Sequence, residues 1–173
     1  MSESTMYNLL LHHGTNDVFS RKILETGFEV QPVTRDDHWL GPGIYFFRED
    51  IEQALSWAIW RYRYDRYTSE YHVIETVVQV PEENFLNLDS RSGLNRLEEF
   101  YNSIVQQVEQ SGVRFSDLQN DKLRHFVMKL LPPNISVIKR TFTGTSRFDR
   151  HDAFVRMELA LNGVQVCIML HII

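Results

Sequence analysis

The chain has a single cysteine, Cys167, in 173 residues. An internal disulfide is therefore excluded, as is a zinc site built on several thiolates. A lone thiol fits a reducing compartment. Positive charge is scarce too: 18 Lys and Arg stand against 23 Asp and Glu, a formal net charge of -5. Domains that coat nucleic acid are basic overall, so that class is disfavoured, while a local basic groove stays open. No apolar run approaches the roughly 20 residues that span a bilayer. Met1-Ser2-Glu3-Ser4-Thr5 lacks the charged-then-apolar pattern of a secretory signal. A cytoplasmic protein without membrane attachment is the expectation. Gly-Lys-Ser/Thr and Gly-x-Ser-x-Gly elements are missing, which disfavours a nucleoside triphosphatase or a serine hydrolase. The seven histidines are scattered without paired ligand spacing, and no metal is expected.

What is present suffices for one domain over residues 1–173, with 43% hydrophobic residues available for a core. Tyr7 to His13 reads as a strand. Asn16 or Asp17 caps a helix with Val18, Ile23 and Leu24 inward, and Gly27 ends it. Pro32 to Leu40 reads as a polar loop and Gly43 to Phe47 as a buried strand. Glu49 and Asp50 stand at the start of a helix whose apolar positions are Ile51, Ala54, Leu55 and Ala58. Val73 to Val80 is the clearest β segment. One amphipathic helix carries Leu97, Tyr101, Ile104, Val105 and Val108 on a face, and a second carries Leu123, Phe126, Val127 and Leu130. Pro132-Pro133 closes the pair. Strand-like runs follow at Ile135 to Phe142, Ala153 to Leu161 and Val164 to Ile173, with Asn162-Gly163 signalling a hairpin. The order is that of an α+β fold.

Two motifs carry the chemistry. Leu11-His12-His13-Gly14-Thr15 ends an apolar run, and Gly41-Pro42-Gly43-Ile44-Tyr45-Phe46-Phe47 follows about thirty residues on. Together and in this order they resemble the NAD-binding half of the ADP-ribosyltransferases, most closely the poly(ADP-ribose) polymerase-like branch with its His-Tyr-Glu triad. The resemblance covers roughly residues 7–90, is weaker over 135–173 and is absent between. It implies a split two-sheet core, with residues 91–133 as a helical insertion. It also implies NAD as co-substrate, His13 on the adenosine ribose, Gly14 on the nicotinamide amide, Thr15 near the ribose and Tyr45 stacked on the nicotinamide ring. The competing reading of His13 and Tyr45 is a satisfied core histidine and an ordinary buried aromatic. Gly41 and Gly43 fit a close backbone approach or a plain turn before a strand.

The same resemblance places Ala54 where many members carry a serine that bonds the nicotinamide amide, with Ser56 as a substitute. Trp57 is a pocket wall or a core residue. At the third triad position the resemblance aligns Gln165, where the family has glutamate. A glutamine amide can hold a ribose hydroxyl but cannot act as a base, which argues for transfer of one unit at most. Glu158 is the spare carboxylate. Arg147 and Arg150 fall where the family's acceptor loop lies, which makes them candidates for holding acceptor or NAD phosphate, against the reading of a simple surface loop. The run Trp60-Arg61-Tyr62-Arg63-Tyr64-Asp65-Arg66-Tyr67 alternates aromatic and basic residues. It reads either as a stacking and phosphate-contacting strip for a nucleic-acid acceptor, with Arg61 and Arg63 on that acceptor, or as a solvated helix end. The expectation is a mono-ADP-ribosyltransferase acting on a protein, RNA or DNA acceptor. Small proteins of this look are often bacterial toxins of toxin–antitoxin or anti-phage systems, with an antitoxin or chaperone as partner. The alternatives are a catalytically silent NAD- or ADP-ribose-binding module and a partner-binding domain presenting the helical pair.

Overall fold

The computed structural model describes residues 4–30, 40–110 and 127–141, together with the backbone of 164–168. The fold is mixed α+β. Its elements run β1 (Met6–Asn16), α1 (Asp17–Thr26), β2 (Ile44–Arg48), α2 (Ile51–Tyr62), β3 (Tyr71–Pro81), a short 3₁₀ turn (Glu82–Asn84), β4 (Phe85–Asn87), α3 (Arg91–Gln110), β5 (Val137–Thr141) and β6 (Val164–Ile168). The strands are hydrogen-bonded in the order β3-β1-β2-β6-β5-β4. Two three-stranded halves thus meet edge to edge at β2 and β6.

Local chemistry sets the helix ends. Asn16 caps α1 by accepting the Phe19 amide at 2.8 Å, and Asp50 caps α2 by accepting the Gln53 amide at 2.9 Å. Gly27, at φ 83°, ends α1 and donates its amide to the Ile23 carbonyl at 2.8 Å. Only glycine adopts that backbone without strain.

The inward face of α1 differs from expectation. Val18 and Leu24 of α1 are exposed, Leu24 at 76%, as are Ile51 and Leu55 of α2. α1 docks instead through polar groups. Asp17 accepts the Ser69 amide and hydroxyl, and the Ser20 hydroxyl lies 2.6 Å from His72 Nδ1. α2 lies on β1 through Ala54 and Ala58, both fully buried. Leu40, read as part of a polar loop, is buried in a core cluster with Leu86, Leu88, Met128, Leu131, Ile135 and Ile138. A second cluster on Leu9, Leu11, Ile44, Phe46, Val80, Phe85 and Val137 fills the other side of the sheet. Each of these side chains contributes roughly 1.5–3 kcal/mol by leaving water.

The region read as an insertion has a topological job. β4 and β5 are neighbours and parallel, with Phe85 opposite Val137. Parallel neighbours need a long crossover, and α3 lies in the connection between them. Leu97 of α3 packs on the first cluster and Ile104 is buried, as the periodicity predicts. In the second helical segment Val127 is buried but Leu130 is exposed, and Leu131 takes the core position. Leu123 and Phe126 lie outside the described residues, as do the 153–161 strand and the Asn162-Gly163 hairpin.

Candidate functional site

β1 and β2 run side by side only briefly. Their pairing covers Leu11 with Arg48 and His12 with Phe47, and then stops. Beyond that point β1 stays paired with β3 as far as Asn16, while Ile44 to Phe47 of β2 pair with β6. The strands fork, and a cavity of about 510 Å³ lies in the fork. His13, Gly14 and Thr15 line it from β1, and Gly43 to Phe47 line it from β2 and the residue before it. Trp57, Arg61 and Tyr62 of α2 close one side, and Phe19, Lys22 and Ile23 of α1 with Phe28 and Glu29 close the other. The volume falls in the range of small-molecule and cofactor sites.

His13 bridges the fork. Its Nδ1 lies 2.8 Å from the Tyr45 carbonyl oxygen. A carbonyl only accepts, so Nδ1 carries the proton and Nε2 is the acceptor of the neutral ring. Burial lowers the His13 pKa from its ordinary value, and the bond to the Tyr45 carbonyl offsets part of that shift. The ring meets Phe28 edge-on at 5.3 Å and lies 5.5 Å from Phe46. At neutral pH the site therefore offers an oriented, uncharged imidazole rather than a cation.

Thr15 is 1% exposed and its hydroxyl has no hydrogen-bond partner among the described residues. Such an enclosed hydroxyl costs about 1–3 kcal/mol unless something satisfies it. Its place on the cavity wall fits a ligand group as that partner.

Tyr45 is only half-buried, and its hydroxyl is engaged. It donates to the Gly41 carbonyl at 2.7 Å and accepts the Leu40 amide at 2.9 Å, so it ties down the turn before β2. Its ring packs against the Leu40–Ile138 cluster. Both the structural and the ligand-facing readings of Tyr45 thus have geometry behind them.

Gly14 has a steric reason of its own. A Cβ there would run into the backbone carbonyl of Ala54. Ala54 lies beneath β1 and neither it nor Ser56 lines the cavity; Trp57 does. Gln165 stands opposite Phe47 of β2 and Arg140 of β5, in the same row across the sheet as His12 and Glu75. His12 itself is buried with Nε2 3.0 Å from Glu75 Oε2. Glu158, Arg147 and Arg150 lie outside the described residues.

Of the two acceptor candidates in the Trp60–Tyr67 run, Arg61 reaches the cavity, while Arg63 lies beyond it over Trp60 and Tyr64. Sequence reading missed Phe28, Lys22 and Glu29. Phe28 had a signal, as the apolar residue directly after the helix-ending Gly27. The Lys22–Glu29 ion pair, at 2.7 Å across the turn, had none.

Among the described residues, no three His, Cys, Asp or Glu side chains are grouped to hold a metal, and no helix is long and apolar enough to cross a membrane. A 52-residue stretch is 44% identical to the uncharacterized protein MJ0359 of Methanocaldococcus jannaschii, covering 30% of this chain and 23% of that protein. No family model and no solved structure matches the chain.

Proposed function

We propose that the protein is a mono-ADP-ribosyltransferase that takes NAD in the fork between β1 and β2. The observation that carries this reading is that one cavity gathers His13, Gly14, Thr15, Gly43 and Tyr45, two motifs about thirty residues apart in the chain, with Trp57 beside them. In the reaction, the bond between nicotinamide nitrogen and ribose C1′ breaks, and its electron pair leaves with nicotinamide. A lone pair of the acceptor forms the new bond to C1′, and the acceptor's proton passes to solvent. The transition state is oxocarbenium-like, so holding both ends of NAD rigidly lowers the barrier. The neutral His13 imidazole and the Thr15 hydroxyl offer hydrogen bonds to ribose hydroxyls, and the Gly14 backbone offers one to the nicotinamide amide. The split ADP-ribosyltransferase core belongs to this reading, with β3-β1-β2 and β6-β5-β4 as its halves. So does a cytoplasmic toxin of a toxin–antitoxin or anti-phage system, with α3 as a surface for an antitoxin or chaperone.

A second reading, a silent NAD- or ADP-ribose-binding module, is favoured by the glutamine at position 165. Incubating the protein with isotopically labelled NAD and a bacterial lysate decides between them. Label on a macromolecule, with nicotinamide released in equal amount, supports the transferase. Binding without turnover supports the module, and no binding of NAD overturns both. Expression in bacteria slows growth under the toxin reading, and harmless expression of the full-length protein without a partner refutes it.

A further inference from the structure

One exposed feature continues outward from the cavity. Trp57, on the cavity wall, has its ring 5.0 Å from that of Trp60. The Arg63 guanidinium lies 5.4 Å over Trp60 and 4.8 Å over Tyr64. Tyr64 is 87% exposed. These four side chains form a ladder of flat groups leading from inside the fork to open solvent. Arg61, itself on the cavity wall, lies 5.6 Å over Tyr62, and Arg66 follows in the same stretch. Among the described residues, Arg61, Arg63 and Arg66 have no carboxylate partner. In a chain with net charge -5 this is a local concentration of unpaired positive charge.

The solvated-helix-end reading accounts for exposed arginines but not for their stacking on rings that line up with a cavity. An exposed guanidinium gains only about 0.5–1 kcal/mol from such a ring and keeps donors for another partner. Arg63 gives one, Nη1, to the Trp60 carbonyl at 3.1 Å and leaves the rest of its donor edge open. That open edge suits phosphate, and the exposed ring faces suit bases. An acidic or hydrophobic protein surface would use the charge or the rings; a single nucleic-acid strand uses both at alternate positions. Duplex nucleic acid keeps its bases stacked on one another and cannot use the rings. We infer that the Trp57–Tyr64 ladder binds single-stranded nucleic acid and leads it into the fork. The inference deepens the transferase reading by naming the acceptor class, and it rests on that reading for the chemistry but not for the binding.

The test is fluorescence anisotropy of the full chain with labelled oligothymidylate and oligouridylate of about twelve nucleotides, within the site sizes such grooves take. Saturable binding of at least one is expected, weakening steeply with added salt. Tyr64→Ala should weaken it about five-fold or more, since a stacked base is worth at least ~1 kcal/mol. Arg63→Ala should weaken it and reduce the salt slope. The exposed position of Tyr64 keeps the thermal midpoint of that variant unchanged. NAD affinity, measured calorimetrically, should stay the same in both variants, because neither residue lines the cavity. Where one oligonucleotide binds more tightly, oligodeoxyuridylate, which differs from oligouridylate only in the sugar, assigns the preference to sugar or to base. No binding of either, binding indifferent to both substitutions, or equal affinity for a duplex of the same length overturns the inference. Strand binding without NAD turnover refutes the transferase reading alone; NAD turnover without strand binding refutes this inference alone.

Discussion

Gly14 and the Ala54 carbonyl are in contact across the β1–α2 interface, so close that any side chain at position 14 would displace the helix. The glycine of the His-Gly-Thr motif is therefore required by helix packing whether or not a ligand touches it. Gly14→Ala is expected to destabilise the protein by about 1–3 kcal/mol, the usual cost of overpacking, and to shift Trp57 at the cavity wall. Gly27→Ala meets no neighbour within 4 Å and carries only the strain of its φ of 83°, about 1–2 kcal/mol. Thermal unfolding compares the two costs, and NAD titration of Gly14→Ala against the unchanged protein reads the cavity: that variant should bind NAD more weakly. Unchanged NAD affinity in Gly14→Ala would show that the packing does not set the cavity.

Asp17 predicts an acid sensitivity. The Ser69 hydroxyl and amide hold its carboxyl far below the ordinary carboxylate range, and the Glu70 amide adds to the effect. A depressed carboxylate stabilises the fold above its unfolded value, about pH 4. That contribution is lost as pH falls from there toward the folded value. Asp17→Asn should lower stability at pH 7 and flatten the dependence between about pH 4 and pH 2. Denaturant midpoints across that window read the difference, and parallel curves for the two proteins would refute it.

His13 predicts a titration in the other direction from a paired histidine. Burial lowers its folded pKa, so its stabilising neutral form is fully present above the unfolded value of about 6.5. Stability is then lost as pH falls from there to the lowered folded value. Nuclear magnetic resonance of the ring protons should show a midpoint below the ordinary histidine range, and a midpoint above it would refute the buried, Tyr45-bonded geometry. In NAD binding, His13→Ala should cost about 1–3 kcal/mol. Tyr45→Ala should weaken NAD binding through the lost ring but also opens the core cluster beneath it. Tyr45→Phe keeps the ring face and removes only the hydroxyl bonded to Gly41 and Leu40. Affinity lost in the first and kept in the second assigns the contact to the ring.

At the third triad position, Gln165→Ala should abolish transfer with little loss of NAD affinity, since contacts made mainly in the transition state appear in rate. Glu158→Gln is the paired control. Activity that survives the first change and vanishes with the second assigns the role to Glu158.

Much of the candidate cavity's lining was legible because its determinants are local. The His-Gly-Thr and Gly-x-Gly-Ile-Tyr-Phe segments announce themselves within a few residues, and Asn16, Asp50 and Gly27 act on amides or carbonyls within four positions. The face of α1 was not legible. Periodicity pointed Val18 and Leu24 inward, yet α1 is held by Asp17 and Ser20 against Ser69 and His72, more than fifty positions away. The neighbourhood of β4 and β5 was equally hidden, because strand register is set by distant partners. Tyr45 was legible as important but not as the clasp of its own turn.

The fork has a consequence for the order of assembly. β2 touches β1 at only two positions and finds its longer partner in β6, more than a hundred residues later in the chain. Closing so long a loop is entropically slow relative to forming β1 with β3. β3-β1 is thus expected to form early, with β2 waiting as an open edge until β6 arrives. In pulse-labelled refolding, the amides of Ile44 to Phe47 should gain protection together with those of Val164 to Ile168 and after those of β1. A chain still being synthesised would then hold both motifs without yet holding the cavity between them.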